Sequence, residues 1–337
     1  MTKLSWPNEH CAPVLITYNR AVALEKTLAA FAAFKDRGLI LHVLDNASTD
    51  QTPAIVAAWQ EDWPELRYHR NPYNIGGNAN YLRALELTQS TYAWIIGDDD
   101  VWHLDYMDEV MHVLQTSQQD VIRLGWLVTP AFAGKEALAT TLCQEEDYFF
   151  ASLSMISATI VRRDIMVRHL NWAYHHICYF YPQLVPIIRE LSVNPMRVYS
   201  LQHALITHTP SQEPGYFLGD LEWYVAWFRT GRFFTESHYK KAFIAETVRY
   251  MIRPKSGKWR EFIWLVKVVL NAKAQGISQW SYLFELWQLG VGWRWRIGGL
   301  GLLYLSFPKI LARGLRRLHF YMRKKEWKEM QYDQSRL

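Results

Sequence analysis

A repeating rhythm between residues 13 and 100 most constrains what this chain can fold into. Short apolar runs rich in β-branched and aromatic residues, at 13–18, 39–44, 66–69 and 92–96, read as strands. Between them, residues 22–34, a stretch opening at Thr52-Pro53, and residues 79–87 carry apolar side chains at helical spacing. Strand–helix alternation predicts a parallel α/β sheet with its site at the carboxyl ends of the strands. Three runs end in polar residues: Thr17-Tyr18-Asn19, Asp45-Asn46 and Asp98-Asp99-Asp100. The three polar clusters therefore converge on one edge of the predicted sheet.

Asp98 to Asp100 pose an electrostatic problem, because three adjacent carboxylates repel one another. They are tolerable in water or beside a cation, and a hard divalent ion suits oxygen ligands. The bland alternative is a solvated acidic turn. The other two clusters on the same edge weigh against it, as does the turn-forming loop Asn71-Pro72-Tyr73-Asn74-Ile75-Gly76-Gly77-Asn78.

The order Thr17-Tyr18-Asn19-Arg20, Asp45-Asn46-Ala47-Ser48-Thr49-Asp50, Asn71-x-x-Asn74-x-Gly76 and Gly97-Asp98-Asp99-Asp100 resembles a family 2 glycosyltransferase of the GT-A fold. The bacterial surface-polysaccharide and O-antigen transferases are of this kind. The resemblance covers residues 12–102 and rests on four motifs in sequence. It implies a Rossmann-like, mixed but mainly parallel sheet flanked by helices, a nucleotide-sugar donor, and Mn²⁺ or Mg²⁺. By the same resemblance Thr17, Tyr18 and Asn19 end the strand that touches the nucleoside. Asp45, with Asn46, would accept from base or ribose. Asn74, Gly76 and Gly77 would face ribose or phosphate with backbone N–H groups, and ordinary turn chemistry remains the other reading of that loop. Asn78, Asn80 and Arg70 are weaker candidates, and Asp50 reads as a helix cap.

Asp98 and Asp100 match the ends of the family's DXD pattern. In extended backbone residues i and i+2 share a side, which puts Asp98 and Asp100 on the donor and metal. Asp99 then faces elsewhere, toward ribose or a structural partner. His208 is a further metal candidate.

Beyond Trp102 the pattern predicts a helix over 106–115, a strand over 121–128 and a small-residue loop over 129–143, and the resemblance implies an acceptor-side strand over 149–161 and a helix over 182–191. Inverting relatives usually carry an acid pair before that last helix. Here the chain reads His175-His176-Ile177-Cys178-Tyr179-Phe180-Tyr181-Pro182-Gln183. The candidate bases are His175, His176 and Asp147, with Glu146 and Asp220 behind them. Packing is the other reading of the two histidines.

Composition sets the remaining bounds. Cys11, Cys143 and Cys178 are far apart and odd in number, with no metal spacing, as in a protein with reduced thiols. The polar start, Met1 to His10, does not resemble a signal peptide, and no apolar run reaches 18 residues. Sixteen Trp and 19 Tyr hint at interfaces or sugar sites. The whole chain is +5, yet residues 294–328 hold ten Lys/Arg against one acid, Glu326. The basic excess therefore belongs to a tail.

That tail also holds Trp293-Arg294-Trp295-Arg296 and the apolar run 297–305, a composition suited to an anionic membrane surface along 293–328. No nucleic-acid motif accompanies it. The expected organisation is a GT-A domain over 1–215, with a donor half at 12–102 and an acceptor half at 103–215. A helical, aromatic and basic region follows over 216–337.

The expected activity is that of a hexosyl- or deoxyhexosyltransferase. It moves a sugar from a nucleotide donor to a hydroxyl of a lipid-linked saccharide, at the cytoplasmic face of the membrane, in lipopolysaccharide or related polysaccharide synthesis. The alternatives are a nucleotidyltransferase, which would want a Gly-rich basic loop where Thr17 to Arg20 stand, and a catalytically inactive membrane-bound scaffold.

Overall fold

The computed structural model describes residues 5–116, 118–178, 181–207, 226–227 and 229–252, with residues 270, 273, 298–299, 301–302 and 305–322 beyond them. The chain divides into two compact units, Met1–Pro210 with Phe233–Ala242, and Ser211–Arg232 with Phe243–Leu337.

The first unit is built on an eight-stranded sheet. Its parallel half is β1 (Val14–Thr17), β2 (Leu41–Asp45), β3 (Leu66–Arg70) and β4 (Tyr92–Gly97), linked by helices α1 (Ala21–Phe31), α2 (Thr52–Asp62) and α3 (Gly77–Leu87). Two-residue β5 (Val101–Trp102) and α4 (Met107–Thr116) follow, then β6 (Val121–Arg123), β7 (Lys135–Leu138), α5 (Ala139–Glu145) and α6 (Phe149–Ser154). Next come β8 (Thr159–Arg162), α7 (Arg163–Arg168), α8 (Leu170–His175), α9 (Leu184–Leu191), β9 (Arg197–Ser200) and β10 (Ile206–Thr207). The strand order is β3-β2-β1-β4-β8-β6-β9-β7. β8 runs antiparallel to β4 and β6, and β7 antiparallel to β9, so the sheet is mixed and mainly parallel, as expected.

β4 is buried along five of its six residues, as a central strand covered on both faces must be. Trp94 anchors the layer above it. It stacks on Trp6 at 6.5 Å, meets Phe31 and Trp102 edge-on, and donates its indole N–H to the Ser157 carbonyl at 2.9 Å. Trp6 and Trp63 are buried with their indole N–H groups likewise bonded to backbone carbonyls, of Cys11 and Leu39. These three tryptophans are core residues with satisfied polar handles, not sugar or membrane contacts.

Three stretches differ from the sequence reading. Residues 149–161 are not one strand but α6, a tight turn over Ile156–Ala158 and then β8. Phe149, Phe150 and Leu153 bury a helical face there, and the Ser152 and Ser154 hydroxyls bond back to the carbonyls of Phe149 and Ala151. Residues 129–143 hold an edge strand, β7, and most of α5 instead of a loop. β7 is largely exposed and has little apolar signal, and pairing with β9 recruits it. The strand expected over 121–128 stops at Arg123. Gly125 turns the chain at φ +87°, and a Cβ there would stand 2.5 Å from the Ala204 α-carbon, so glycine is required.

In the second unit the described residues include Trp227 stacked on Phe243 at 5.1 Å and bonded to Thr247 at 2.9 Å. Helix α10 (Ser237–Ile252) begins in the first unit and ends in the second. Helix α11 (Lys309–Met322) starts after Pro308. No helix among the described residues is long and apolar enough to cross a membrane. Cys11 and Cys143 are buried and Cys178 is exposed, and all three are free thiols.

Candidate active site

Strand register builds the site. Thr17 lies opposite Asp45, and Asp45 opposite Arg70, while Ile16 lies opposite Gly97. The carboxyl ends of four parallel strands thus bring Arg70, Asp45, Thr17 and Asp98 to one edge, although residues 17 and 98 are 81 positions apart.

Of the three adjacent carboxylates Asp98 is the most buried, at 3% exposure. Its carboxylate accepts from the Thr17 hydroxyl at 2.6 Å and from Arg20 Nη1 at 3.1 Å, and its carbonyl accepts from the Thr27 hydroxyl at 3.0 Å. Burial pushes the Asp98 carboxyl up to about 6, against the opposing pull of Arg20 and Thr17. The same Arg20 nitrogen donates to Asp99 Oδ2 at 2.8 Å. The expected division, with Asp99 turned away from Asp98, therefore fails: residues 98–99 form a bend, and alternation applies to extended backbone alone. Asp99 Oδ1 and Asp100 Oδ2 lie 3.3 and 3.8 Å from the point a Gly97 Cβ would occupy. Two hard oxygens lean over a residue with no side chain, a cradle whose donor set fits a hard divalent ion. No group of three or more His, Cys, Asp or Glu side chains able to hold a metal occurs among the described residues.

Asp45 is fully buried. Its carboxylate accepts from the Ser48 N–H at 2.8 Å, the Tyr68 hydroxyl at 2.7 Å and Arg70 Nε at 3.3 Å. Burial and the Asp45 carboxylate both push the Tyr68 hydroxyl above its ordinary range. What this edge presents outward is Arg70, whose side chain is 44% exposed.

Asn46 organises the neighbouring loop. Its Oδ1 accepts from Asn71 Nδ2 and the Ile75 N–H, both at 3.0 Å, and its Nδ2 donates to Asn74 Oδ1 at 2.7 Å. Asn74 Oδ1 also accepts from the Gly76 N–H at 2.8 Å, and buried Asn80 accepts from Asn71 at 2.8 Å. Gly76 takes φ +84° and enters α3 through exposed Gly77. On the first loop half-buried Tyr18 precedes Asn19, which stands at φ +52° and accepts from the Thr49 N–H at 2.7 Å, locking the ends of β1 and β2 together. Asp50 bonds the first N–H groups of both α1 (Ala21) and α2 (Thr52), at 2.9 and 3.0 Å.

The candidate bases are spread out. Glu146 forms a buried bidentate pair with Arg123 and does not face solvent. Asp147 is exposed between α5 and α6. His176 is buried edge-on to Phe233 at 5.2 Å, whereas His175 is exposed at the end of α8. Asn78 Nδ2 donates to the Ile177 carbonyl at 2.9 Å, which ties this segment to the start of α3. His208 and Asp220 lie outside the described residues, as do residues 215–220 and, within 293–328, residues 293–297, 300, 303–304 and 323–328. The register of β10 on β5 nevertheless sets Thr207 opposite Val101, the residue after Asp100.

Residues without an assigned role in the sequence complete the site: Arg20, Ser48, Tyr68 and Ser157, whose hydroxyl accepts from the Gly97 N–H at 2.9 Å. Arg20 carried a readable signal, being a cation three residues past a strand expected to end beside the three carboxylates.

Residues 14–171 match the family model described as Glycosyl transferase family 2. The chain is 32% identical over 114 residues to the abequosyltransferase RfbV of Salmonella typhimurium, across 33% of either chain. It is 30% identical over 88 residues to the GalNAc(5)-diNAcBac-PP-undecaprenol beta-1,3-glucosyltransferase of Campylobacter jejuni, across 26% of this chain and 28% of that protein. The chain thus spans about a third or less of the length of the curated relatives it matches.

Among solved structures, S. aureus TarS 1-349 in complex with UDP shares the fold at a TM-score of 0.57 and 15% identity, over 94% of this chain and 92% of that one. The mannosyltransferase PcManGT from Pyrobaculum calidifontis, solved with GDP-Man and Mn²⁺, does so at 0.52 and 15%, over 91% and 86%. Residues 14–171, just under half of the chain, are thus similar to glycosyl transferase family 2, and the chain carries the GT-A fold.

Proposed function

We propose that this protein transfers a sugar from a nucleotide-sugar donor to a hydroxyl of a lipid-linked saccharide, in bacterial cell-surface polysaccharide synthesis. The observation that carries the reading is the convergence of Arg70, Asp45, Thr17 and Asp98–Asp100 at the carboxyl ends of β3, β2, β1 and β4. That edge is where ligands bind in open α/β sheets. The named activities of the Salmonella and Campylobacter relatives support the reaction class, and the undecaprenol-linked saccharide in the Campylobacter relative's name supports the acceptor.

In this reading the nucleoside lies against Thr17, Tyr18, Asn19 and the Tyr68–Asp45–Arg70 cluster, with the loop Asn74–Gly77 alongside. Asp99 and Asp100 hold the divalent ion, and His208, which lies outside the described residues, is a further ligand on the family resemblance alone. When bound, Mn²⁺ or Mg²⁺ neutralises charge on the departing diphosphate. Asp98, tied to Thr17 and Thr27, keeps the bend that presents its two neighbours. Of the candidate bases His175 is preferred, because it is exposed and stands two residues before the Ile177 carbonyl that Asn78 holds. A thermal-shift screen of UDP-, GDP-, CDP- and dTDP-sugars, with and without Mn²⁺, is expected to yield one nucleotide that raises the melting temperature more with metal than without. A flat response to every nucleotide would sink the donor reading.

The second part of the reading is attachment to an anionic membrane surface through the basic tail. In α11, Ile310, Leu311 and Leu315 are exposed, beside Lys309 and Arg313. Leu302 and Leu305 before it are exposed too. An apolar stripe with basic flanks suits the bilayer interface, and each cation near anionic lipid adds about 1 kcal/mol. The double substitution Leu311→Glu/Leu315→Glu should weaken partition onto phosphatidylglycerol vesicles by about tenfold or more, from the lost burial of two leucines. Partition that survives both this change and removal of residues after Trp293 would refute the attachment.

A further inference from the structure

We propose that Arg20 is the resident cation of the carboxylate cluster, and that a divalent ion gains the cluster only as this guanidinium withdraws. The inference rests on the metal reading given above. One nitrogen, Arg20 Nη1, bridges two successive carboxylates, at 3.1 Å to Asp98 Oδ1 and 2.8 Å to Asp99 Oδ2. Asp98 is almost wholly buried, where an uncompensated carboxylate is costly, so the guanidinium stabilises the bend with no metal present. Arginine does not shed its charge by deprotonation. A divalent ion approaching Asp99 and Asp100 therefore meets a fixed positive charge already bonded to one of its ligands. Relief requires movement.

The surroundings permit that movement. The Arg20 side chain is 18% exposed, which leaves it a path outward. Its backbone, at φ −135° and ψ 44°, lies just before α1, so the side chain can swing without unwinding a helical turn. Asp98 does not lose its place when the guanidinium leaves, because Thr17 Oγ1 and Thr27 Oγ1 still hold its carboxylate and its carbonyl. Asp99 is 37% exposed and can take either partner. A released guanidinium beside the metal has one suitable new ligand, the diphosphate of the donor, which arginine binds through paired N–H groups. Metal and diphosphate should then bind cooperatively, each making room for the other.

The test reads Mn²⁺ binding to the full chain directly, by the electron paramagnetic resonance signal of free Mn²⁺, first alone and then with inorganic pyrophosphate. Arg20→Gln and Arg20→Ala should bind Mn²⁺ alone about tenfold tighter than the natural chain. Pyrophosphate should tighten Mn²⁺ binding about tenfold in the natural chain and much less in the variants. Arg20→Lys, which keeps the charge, should retain the weak binding of the natural chain. Equal or weaker Mn²⁺ binding in both Gln and Ala variants would overturn the proposal, as would a Lys variant that binds as tightly as they do. If none of the chains binds Mn²⁺ with or without pyrophosphate, the metal reading itself falls, and the Arg20 proposal with it. Far-ultraviolet circular dichroism identifies which variants are folded, and either neutral variant suffices.

Discussion

Asp100→Ala is expected to lower sugar transfer about a thousandfold while leaving the fold stable. Neutralising charge on a departing diphosphate is worth several kcal/mol, and each tenfold in rate is about 1.4 kcal/mol. Asp100 is the best place to test that contribution. Asp98 is sewn into the first strand through Thr17 and into α1 through Thr27, so its removal disturbs donor site and scaffold together. Asp100 is half-buried at the turn into β5 and leans over Gly97. The informative pair of measurements is single-turnover transfer, or donor hydrolysis where no acceptor is at hand, and thermal melting of the same sample. Full turnover in the variant would remove Asp100 from the metal site. Lost turnover at an unchanged melting temperature would dispose of the inactive-scaffold alternative.

The largest expected effect on stability comes from elsewhere in the first unit. Glu146→Ala should destabilise it by about 3–5 kcal/mol, the usual consequence of stranding one partner of a buried ion pair. Against a typical total of about 5–15 kcal/mol, that is a large fraction. Arg123 and Glu146 are both essentially inaccessible. They meet through two parallel contacts, Nη1–Oε2 at 2.5 Å and Nη2–Oε1 at 3.1 Å. The guanidinium is further bonded to the Ser152 and Ser200 hydroxyls and lies 5.5 Å from the Phe149 ring centre. Glu146 also accepts from the Thr129 N–H at 3.2 Å. Urea denaturation of Glu146→Ala should show the loss, and the double change Arg123→Met/Glu146→Leu should restore most of it, since an apolar pair of similar volume removes the stranded charge. A singly substituted protein as stable as the parent would contradict the geometry. The comparison also shows why lost activity in Glu146→Ala would not identify a base: the carboxylate is committed to holding α5, α6, β6 and β9 together.

Much of the donor half was legible because its signals are local. Thr17, Asp45 and Asp98 each end an apolar run, and helices at the expected places separate the runs. The acceptor half was less legible for reasons visible in its residues. β7 is mostly exposed and so lacks an apolar pattern, while α6 shares its phenylalanines and small residues with the strand composition expected there. At the site, Arg20 stood within a quoted motif yet carried no role, because its partners lie 78 and 79 residues away. Asn46 looked like a ligand candidate, and the structure shows how much of its hydrogen-bonding capacity the loop from Asn71 to Gly76 takes.

By itself the sequence determined that strands and helices alternate, that polar residues close the strands, and that three carboxylates lie at the end of the fourth. Periodicity and strand ends are properties of neighbouring residues, and neighbours are what a sequence lists. Only the tertiary structure decided how those carboxylates are partnered: Asp98 held by Thr17, Asp98 and Asp99 bridged by one guanidinium, Asp99 and Asp100 leaning over Gly97. The physical reason is register. Pairing of β1 with β2 and β4 sets which side chains share the edge, and a bend at residues 98–99 sets which way they point.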